Sequence, residues 1–400
     1  MRRRAASHVT SRLAPLASAP TSPPGHPASR PTLHAITGLR AVAALLVVLY
    51  HYDDGVLSAR APWAGALIGR GYVGVSFFFV LSGFILTYVY ADGDRAWNAA
   101  RRRAFWVARV ARIYPVYALA LALTAPGFVV AVLALPPTEA AARGIASAVT
   151  TPLLVHAWTP WTSTLWNFPS WSLAVEAFAY ALFPLVVPRL WGRPGAVLVG
   201  AALGLWAVGL AVPFAVEAAG GRAGVPFAAA FAMSAPLVHL PQVLVGACAG
   251  ALVLRAPRAS AGVRAGAWDV AAAAVAVLTV GLLASGVPLL RTPLNGGLLA
   301  PAFAALAYAL ARAPAGVWAR TVGSAPMRWL GEASYAIYLL QLPVYQLLGP
   351  FGRLGLERGT GRHLAAYLAV LVGVSALVVR VVERPARRAL RRRLSPASEP

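Results

Sequence analysis

About ten apolar runs divide this chain, each long enough to cross a lipid bilayer as a helix. A membrane-spanning helix needs about 20 mostly apolar residues, and such runs occupy residues 35–52, 71–90, 113–135, 173–190, 196–216, 236–254, 267–287, 294–312, 330–348 and 363–382. Hydrophobic residues make up 59% of the 400 residues and charged residues 12%, which is too apolar for a water-soluble surface. The sequence therefore predicts an all-α, polytopic transmembrane helix bundle of about ten spans.

The basic residues are concentrated in alternate segments between the apolar runs. The formal net charge is +23, but this clustering is typical of the positive-inside rule rather than of a nucleic-acid-binding protein. An even number of spans places both termini in the cytoplasm, in a cell (plasma) membrane. We therefore predict three regions: a disordered basic cytoplasmic tail (1–33), a membrane domain (34–385) and a second basic cytoplasmic tail (386–400).

Two ionisable residues lie in the first apolar run, where such side chains are costly and usually functional. Arg40 and His51 are eleven positions apart, which at about 100° per residue is roughly three turns. Both side chains are thus predicted on one face of a helix, about 16 Å apart along its axis.

Further polar residues border or enter later runs. Arg109 and Arg112 share a helix face, and they serve either as contacts to anionic lipid or as an anion clamp. Glu176 enters an apolar run, either as a functional carboxylate or as a partner for a buried arginine. Trp166 and Trp171 precede it, either as an interfacial aromatic belt or as a stacking surface for a sugar.

Taken together, these segments resemble the acyltransferase 3 family of integral membrane O-acyltransferases. The resemblance rests on six elements in order: the Arg40-to-His51 pair, Phe78–Phe84, Arg109-x-x-Arg112 followed by Ile113-Tyr-Pro115, Trp171–Glu176, Leu330–Leu340 and Glu383-Arg-Pro385. Each element alone is weak, and the order gives the resemblance its strength.

The resemblance implies roles for particular residues. His51 matches the histidine needed for transfer, Arg40 its upstream partner and Glu176 the acidic residue of the Trp-Ser-Leu segment. Arg109 and Arg112 match the arginine pair associated with the acyl donor, and the acceptor is expected near Trp166, Trp171 and Ser172. One position departs from the family: a histidine commonly follows Tyr-Leu-Leu in the late span, whereas this chain has Gln341, which cannot titrate.

The implied reaction moves a short acyl group from acyl-CoA, a cosubstrate, to a hydroxyl of a carbohydrate or secondary-metabolite acceptor. No bound cofactor or metal is predicted. His51 either deprotonates the acceptor hydroxyl or accepts the acyl group itself, and Glu176 is predicted to orient its imidazole. The alternatives are a transporter or flippase that uses the buried charges as a proton relay, and a structural membrane scaffold. The sequence leaves the acceptor open.

Overall fold

The computed structural model describes residues 32–91, 97–256, 263–349 and 357–394. The predicted tail 1–33 lies outside these residues except at 32–33. The end of the predicted tail 386–400, from residue 395 onward, lies outside them as well.

The described residues form helices joined by turns, and they contain no β-strand. The prediction of an all-α fold is therefore confirmed. The helices are α1 (His34–Tyr52), α2 (Pro62–Gly69), α3 (Val73–Tyr90), α4 (Ala99–Leu133), α5 (Pro137–Thr150), α6 (Trp171–Leu190), α7 (Gly195–Ala218), α8 (Gly221–Gly224), α9 (Pro226–Ser234), α10 (Pro236–Arg255), α11 (Val263–Ala284), α12 (Arg291–Asn295), α13 (Ala300–Arg312), α14 (Val317–Val322), α15 (Ala325–Leu348), α16 (Gly361–Val378) and α17 (Arg384–Leu394).

Proline and polar caps set many of the helix starts. Proline stands in the first turn of α2, α5, α9, α10, α13 and α15, where its missing N–H costs nothing. At the start of α4, the side chain of Asn98 accepts a hydrogen bond from the backbone N–H of Arg101, at 2.9 Å. Thr360 caps α16 in the same way, with a 3.2 Å bond from the N–H of His363.

Nine stretches of helix among the described residues are long and apolar enough to cross a membrane. They account for nine of the predicted runs. The remaining run, 330–348, forms α15, whose 24 residues are long enough to span but include charged and amide side chains. Because α15 is largely buried among other helices, its surface meets protein rather than lipid. Apolar side chains such as Val208 on α7 and Leu278 on α11 are more than 70% exposed, as lipid-facing residues are. The chain is a multi-pass membrane protein.

Helix α1 lies between the two main clusters of buried apolar side chains. Ala44 and Val47 pack with side chains of α4, α6, α15 and α16. Ile36 and Leu39 pack with those of α3, α10, α11 and α13. The helix that carries Arg40 and His51 is therefore enclosed by the bundle on two sides.

Helices α3 and α10 approach each other closely at glycines. A Cβ atom on Gly246 would lie 2.0 Å from the carbonyl oxygen of Val80, and one on Gly83 would lie 1.8 Å from that of Val243. Backbone atoms cannot move aside as a flexible side chain can. The contact therefore requires the absence of a side chain.

Gly246→Ala is expected to destabilise the protein by about 1–3 kcal/mol, because α3 and α10 must separate to admit the methyl group. Thermal unfolding in detergent measures this effect. Gly200→Ala on α7 is the matched control, since no atom lies within 4 Å of the added Cβ and alanine favours the helix. Equal unfolding temperatures for the two variants would contradict the close contact.

Candidate active site

The larger cavity in the bundle, here called the arginine cavity, has a volume of about 690 Å³. It is lined by side chains of α1, α3, α4, α15 and the chain from α16 into α17. Its charged lining consists of Arg40, Arg112, Glu332, Glu383, Arg384, Arg387 and Arg388. Five arginines thus face two glutamates, which leaves an excess of positive charge.

Two ion pairs cross the wall of the arginine cavity. Arg112 on α4 pairs with Glu383, whose side chain is 2% exposed, in the π-helical turn before α17. Arg384 on α17 pairs with Glu332 on α15 at 3.1 Å, and both side chains are more than half exposed. The first pair is the stronger structural link, because an exposed pair contributes little.

A second cavity, here called the glutamate cavity, lies beside the first and has a volume of about 60 Å³. It is small and of mixed polarity, and its lining is Arg40, Val75, Phe78, Phe79, Leu81, Ser82, Ser172, Leu173, Glu176, Ser334, Tyr335 and Tyr338. The carboxylate of Glu176 accepts hydrogen bonds from the hydroxyl of Ser82, at 2.9 Å, and from the phenol of Tyr180.

Arg40 lines both cavities. Its Nε donates to the hydroxyl of Ser334 on α15, at 3.4 Å. Arg40 and Glu176 therefore line the same cavity.

His51 lies beyond the glutamate cavity and belongs to the lining of neither cavity. Its Nδ1 lies 3.1 Å from Oε1 of Gln341 on α15, and its ring meets the rings of Tyr50 and Phe168 edge-on, each at a centroid distance of 4.8 Å. The imidazole is half-buried. The prediction that Glu176 orients His51 is thus wrong, because the hydrogen-bond partner of the imidazole is Gln341.

The hydrogen bonds of Gln341 define the tautomer of His51. Nε2 of Gln341 donates to the carbonyl oxygen of Tyr338 at 2.7 Å, so Oε1 is the atom that faces the imidazole. An acceptor at this position requires a proton on Nδ1 of His51. Nε2 of the imidazole is then unprotonated and available as a base or a nucleophile.

The three parts of the site follow one another along α15. Gly331 and Glu332 line the arginine cavity, then Ser334, Tyr335 and Tyr338 line the glutamate cavity, and Gln341 contacts His51. Antiparallel helix α3 repeats the order, with Ile85 in the arginine cavity and Ser82 to Val75 in the glutamate cavity. The glutamate cavity therefore lies between the arginine cavity and His51.

The structure separates the two arginines that the sequence paired. Arg112 lines the arginine cavity, whereas Arg109 does not. Arg109 donates to the phenol of Tyr90 at 3.0 Å and lies 5.9 Å from the ring centre of Tyr180. Arg109 thus packs against the aromatic side chain that holds Glu176.

The residues predicted near the acceptor are mostly engaged in packing. Trp166 stacks on Phe128 at 4.5 Å and donates from its indole to the carbonyl of Leu121. Trp171 packs 5.0 Å from the ring of His239. Ser172 alone of the three lines a cavity, and it bonds the phenol of Tyr338 at 2.9 Å.

Buried hydrogen bonds fix the loops on either side of His51. His156 is 1% exposed and shares a 3.1 Å hydrogen bond with Ser170, and burial lowers its pKa to about 4. Burial alone would raise the pKa of Asp53, but hydrogen bonds from Ser58 and from backbone N–H groups lower it below its ordinary value. At neutral pH, His156 is therefore neutral and Asp53 is ionised.

Several lining residues were not singled out from the sequence. Ser82 and Tyr338 lie within the Phe78–Phe84 and Leu330–Leu340 elements but received no role of their own, and neither did Tyr180, which bonds Glu176 without lining a cavity. Arg384, Arg387 and Arg388 do show a pattern, the i, i+3, i+4 spacing of a single helix face, which indicates that their side chains point in one direction. In the described ranges, no three His, Cys, Asp or Glu side chains come together as a metal site requires.

Helices that cross a membrane around polar, arginine-lined cavities define a multi-pass membrane protein with a charged interior. Residues 33–381 match the Acyltransferase domain of the acyltransferase 3 family, and the chain therefore belongs to that family. It is an enzyme that transfers acyl groups in a membrane.

The chain is similar to three curated relatives. It is 31% identical over 389 residues to acyltransferase MdmB of Streptomyces mycarofaciens, covering 92% of this chain and 95% of that protein. It is 27% identical to the putative peptidoglycan O-acetyltransferase YrhL of Bacillus subtilis and 26% identical to the peptidoglycan O-acetyltransferase OatA of Listeria monocytogenes. Those matches cover 88% and 90% of this chain but only 54% and 56% of the two relatives. No solved structure matches the chain significantly.

Proposed function

We propose that this enzyme moves a short acyl group from acyl-CoA, bound on the cytoplasmic side, to a hydroxyl group of an acceptor on the outer side of the plasma membrane. The succession of arginine cavity, glutamate cavity and His51 along α15 is the observation that carries this proposal. In this orientation both termini lie in the cytoplasm, and the arginine cavity opens toward the cytoplasm.

The donor phosphates are proposed to bind in the arginine cavity. Coenzyme A carries a diphosphate and a phosphomonoester, and guanidinium groups bind phosphate oxygens through paired N–H donors. The cavity offers five arginines against two glutamates. Arg112 and Arg40 are the proposed donor contacts on α4 and α1, while Arg109 acts indirectly through Tyr180 and Glu176.

The acyl group is proposed to extend past Arg40 into the glutamate cavity. That cavity holds only about 60 Å³, which favours an acetyl or other short chain. Glu176 balances the charge of Arg40 across the cavity, and its bonds to Ser82 and Tyr180 hold the carboxylate in place.

His51 is proposed to act through Nε2, by one of two routes. As a general base, Nε2 takes the proton of the acceptor hydroxyl, whose oxygen attacks the thioester carbon; the C–S bond breaks and the CoA thiolate leaves. As a carrier, Nε2 attacks the thioester carbon and expels the thiolate, and the acceptor oxygen then takes the acyl group from the imidazole while releasing its proton. In both routes Gln341 holds the tautomer.

The proposed acceptor is a hydroxyl-bearing glycan or small molecule. Two relatives are named peptidoglycan O-acetyltransferases, which supports a cell-surface carbohydrate. The match to MdmB covers 95% of that protein, and its name specifies no acceptor. We therefore propose a secondary-metabolite hydroxyl as the second candidate.

Release of CoA from labelled acetyl-CoA by the purified protein tests the proposal. We expect thioester cleavage that rises when a polysaccharide or a hydroxyl-bearing secondary metabolite is added, together with label on the acceptor. Movement of an intact substrate across proteoliposomes without thioester cleavage would instead favour a transporter and overturn the proposed reaction.

The size of the glutamate cavity predicts a preference for short acyl chains. Wild-type enzyme is expected to use acetyl-CoA at least about tenfold better than octanoyl-CoA, since a closed pocket excludes added methylenes. Phe78→Ala enlarges this cavity and is expected to reduce the preference for acetyl-CoA over octanoyl-CoA. Phe214→Ala, on an exposed face of α7, is the matched control and leaves the ratio unchanged. An unchanged ratio in Phe78→Ala would place the acyl chain elsewhere.

A further inference from the structure

Helix α17 contributes three arginines to the arginine cavity from a single face. Arg384, Arg387 and Arg388 follow the i, i+3, i+4 spacing and all line the cavity. The family match ends at residue 381, before this helix begins. Arg387 and Arg388 also lie after the last of the six elements that carry the family resemblance, Glu383-Arg-Pro385.

Two of these arginines have no carboxylate partner among the described residues. Arg112 and Arg384 are paired with Glu383 and Glu332, which uses both glutamates of the lining. Arg387 and Arg388 form no ion pair with any other side chain that the structure describes. Placing like charges around one cavity is unfavourable unless an anion enters it.

The position of α17 distinguishes it from a helix that lies on the membrane surface. A basic amphipathic helix usually binds anionic lipid through its charged face. Here the Arg112–Glu383 pair fixes the start of α17 to α4, and the Arg384–Glu332 pair ties it to α15. The arginine face consequently lines the arginine cavity.

We propose that Arg387 and Arg388 bind the phosphate groups of the nucleotide end of coenzyme A and so make the enzyme specific for CoA thioesters. This inference rests on the proposed function, in which acyl-CoA is the donor. Arg40 on α1 and Arg112 on α4 line the same cavity, and α17 completes the proposed site around the nucleotide. The same guanidinium groups would also suit a phospholipid headgroup, so the experiment separates the two sources of phosphate.

The test compares two donors that differ only in the nucleotide. Acetyl-CoA carries the phosphates, whereas S-acetylpantetheine has the same thioester without them. The double variant Arg387→Gln/Arg388→Gln is expected to raise KM for acetyl-CoA by about tenfold or more, because charge-assisted hydrogen bonds are lost. Its kcat, and its kinetics with S-acetylpantetheine, are expected to stay near wild type.

Arg380→Gln is the matched control, because Arg380 is exposed in the preceding π-helical turn and does not line the cavity. All variants are compared by thermal unfolding, which checks that each one is folded; Arg388 is exposed and Arg387 is partly exposed. An equal rise in KM in the control would show a general charge effect and overturn the inference.

Failure of the inference and failure of the proposed function give different results. If wild-type protein neither binds nor cleaves acetyl-CoA, the donor assignment itself fails. If wild type uses acetyl-CoA and the double variant has the same KM, only the role of α17 is overturned. A KM effect present in phosphatidylglycerol nanodiscs but absent in phosphatidylcholine nanodiscs would assign the two arginines to anionic lipid and also overturn it.

Discussion

His51→Ala is expected to lower the rate of acyl transfer by about a hundredfold or more, since it removes either the general base or the acyl carrier. The protein is expected to stay folded, because the half-buried imidazole gives up one side-chain hydrogen bond, to Gln341. Turnover of labelled acetyl-CoA with an acceptor present measures the loss.

His34→Ala is the control for this substitution, because His34 is exposed at the opposite end of the same helix. Its activity should match wild type. Activity of His51→Ala within a few fold of wild type would remove His51 from the chemistry. A single turnover without acceptor separates the two routes, since only the carrier route releases CoA and leaves label on the protein.

Arg112→Ala is expected to reduce both stability and donor binding. It leaves Glu383 unpaired at 2% exposure, and breaking a buried ion pair costs about 3–5 kcal/mol. The same change removes a guanidinium from the arginine cavity. Thermal unfolding in detergent measures the first effect, and binding of acetyl-CoA measures the second.

The double variant Arg112→Ala/Glu383→Gln separates stability from binding. Neutralising Glu383 is expected to restore much of the stability, while donor binding stays weak. Arg112→Lys should rescue binding only in part, because lysine offers one compact charge. Arg109→Ala serves as the comparison and is expected to weaken binding less, since Arg109 lies outside the cavity lining. If both alanine variants weaken acetyl-CoA binding equally, Arg109 contacts the donor as Arg112 does.

Local patterns predicted most of the helices and the placement of Arg40. Apolar runs of bilayer length gave the helices, and the eleven-residue spacing placed Arg40 and His51 on one face. These features depend on periodicity within a single helix. For that reason they were accessible before any packing was known.

Contacts between side chains on different helices could not be predicted from such patterns. Gln341 lies 290 positions from His51 in the chain, and only the packing of α15 against α1 brings them together. The arginine pair shows a different limit. Residues three apart differ by about 60° around a helix, which is enough for Arg112 to face a cavity while Arg109 faces aromatic rings.

The position of Arg40 in the lining of both cavities bears on whether protons can leak through the protein. An enzyme that passes a chemical group between compartments risks leaving a conduit for protons, which would dissipate the membrane potential. A permanent positive charge such as that of Arg40, which lines both cavities, opposes the entry of hydronium and other cations, as the arginine of water channels does. Under the proposed function, the guanidinium group of Arg40 would contact the acyl donor and also oppose the passage of protons.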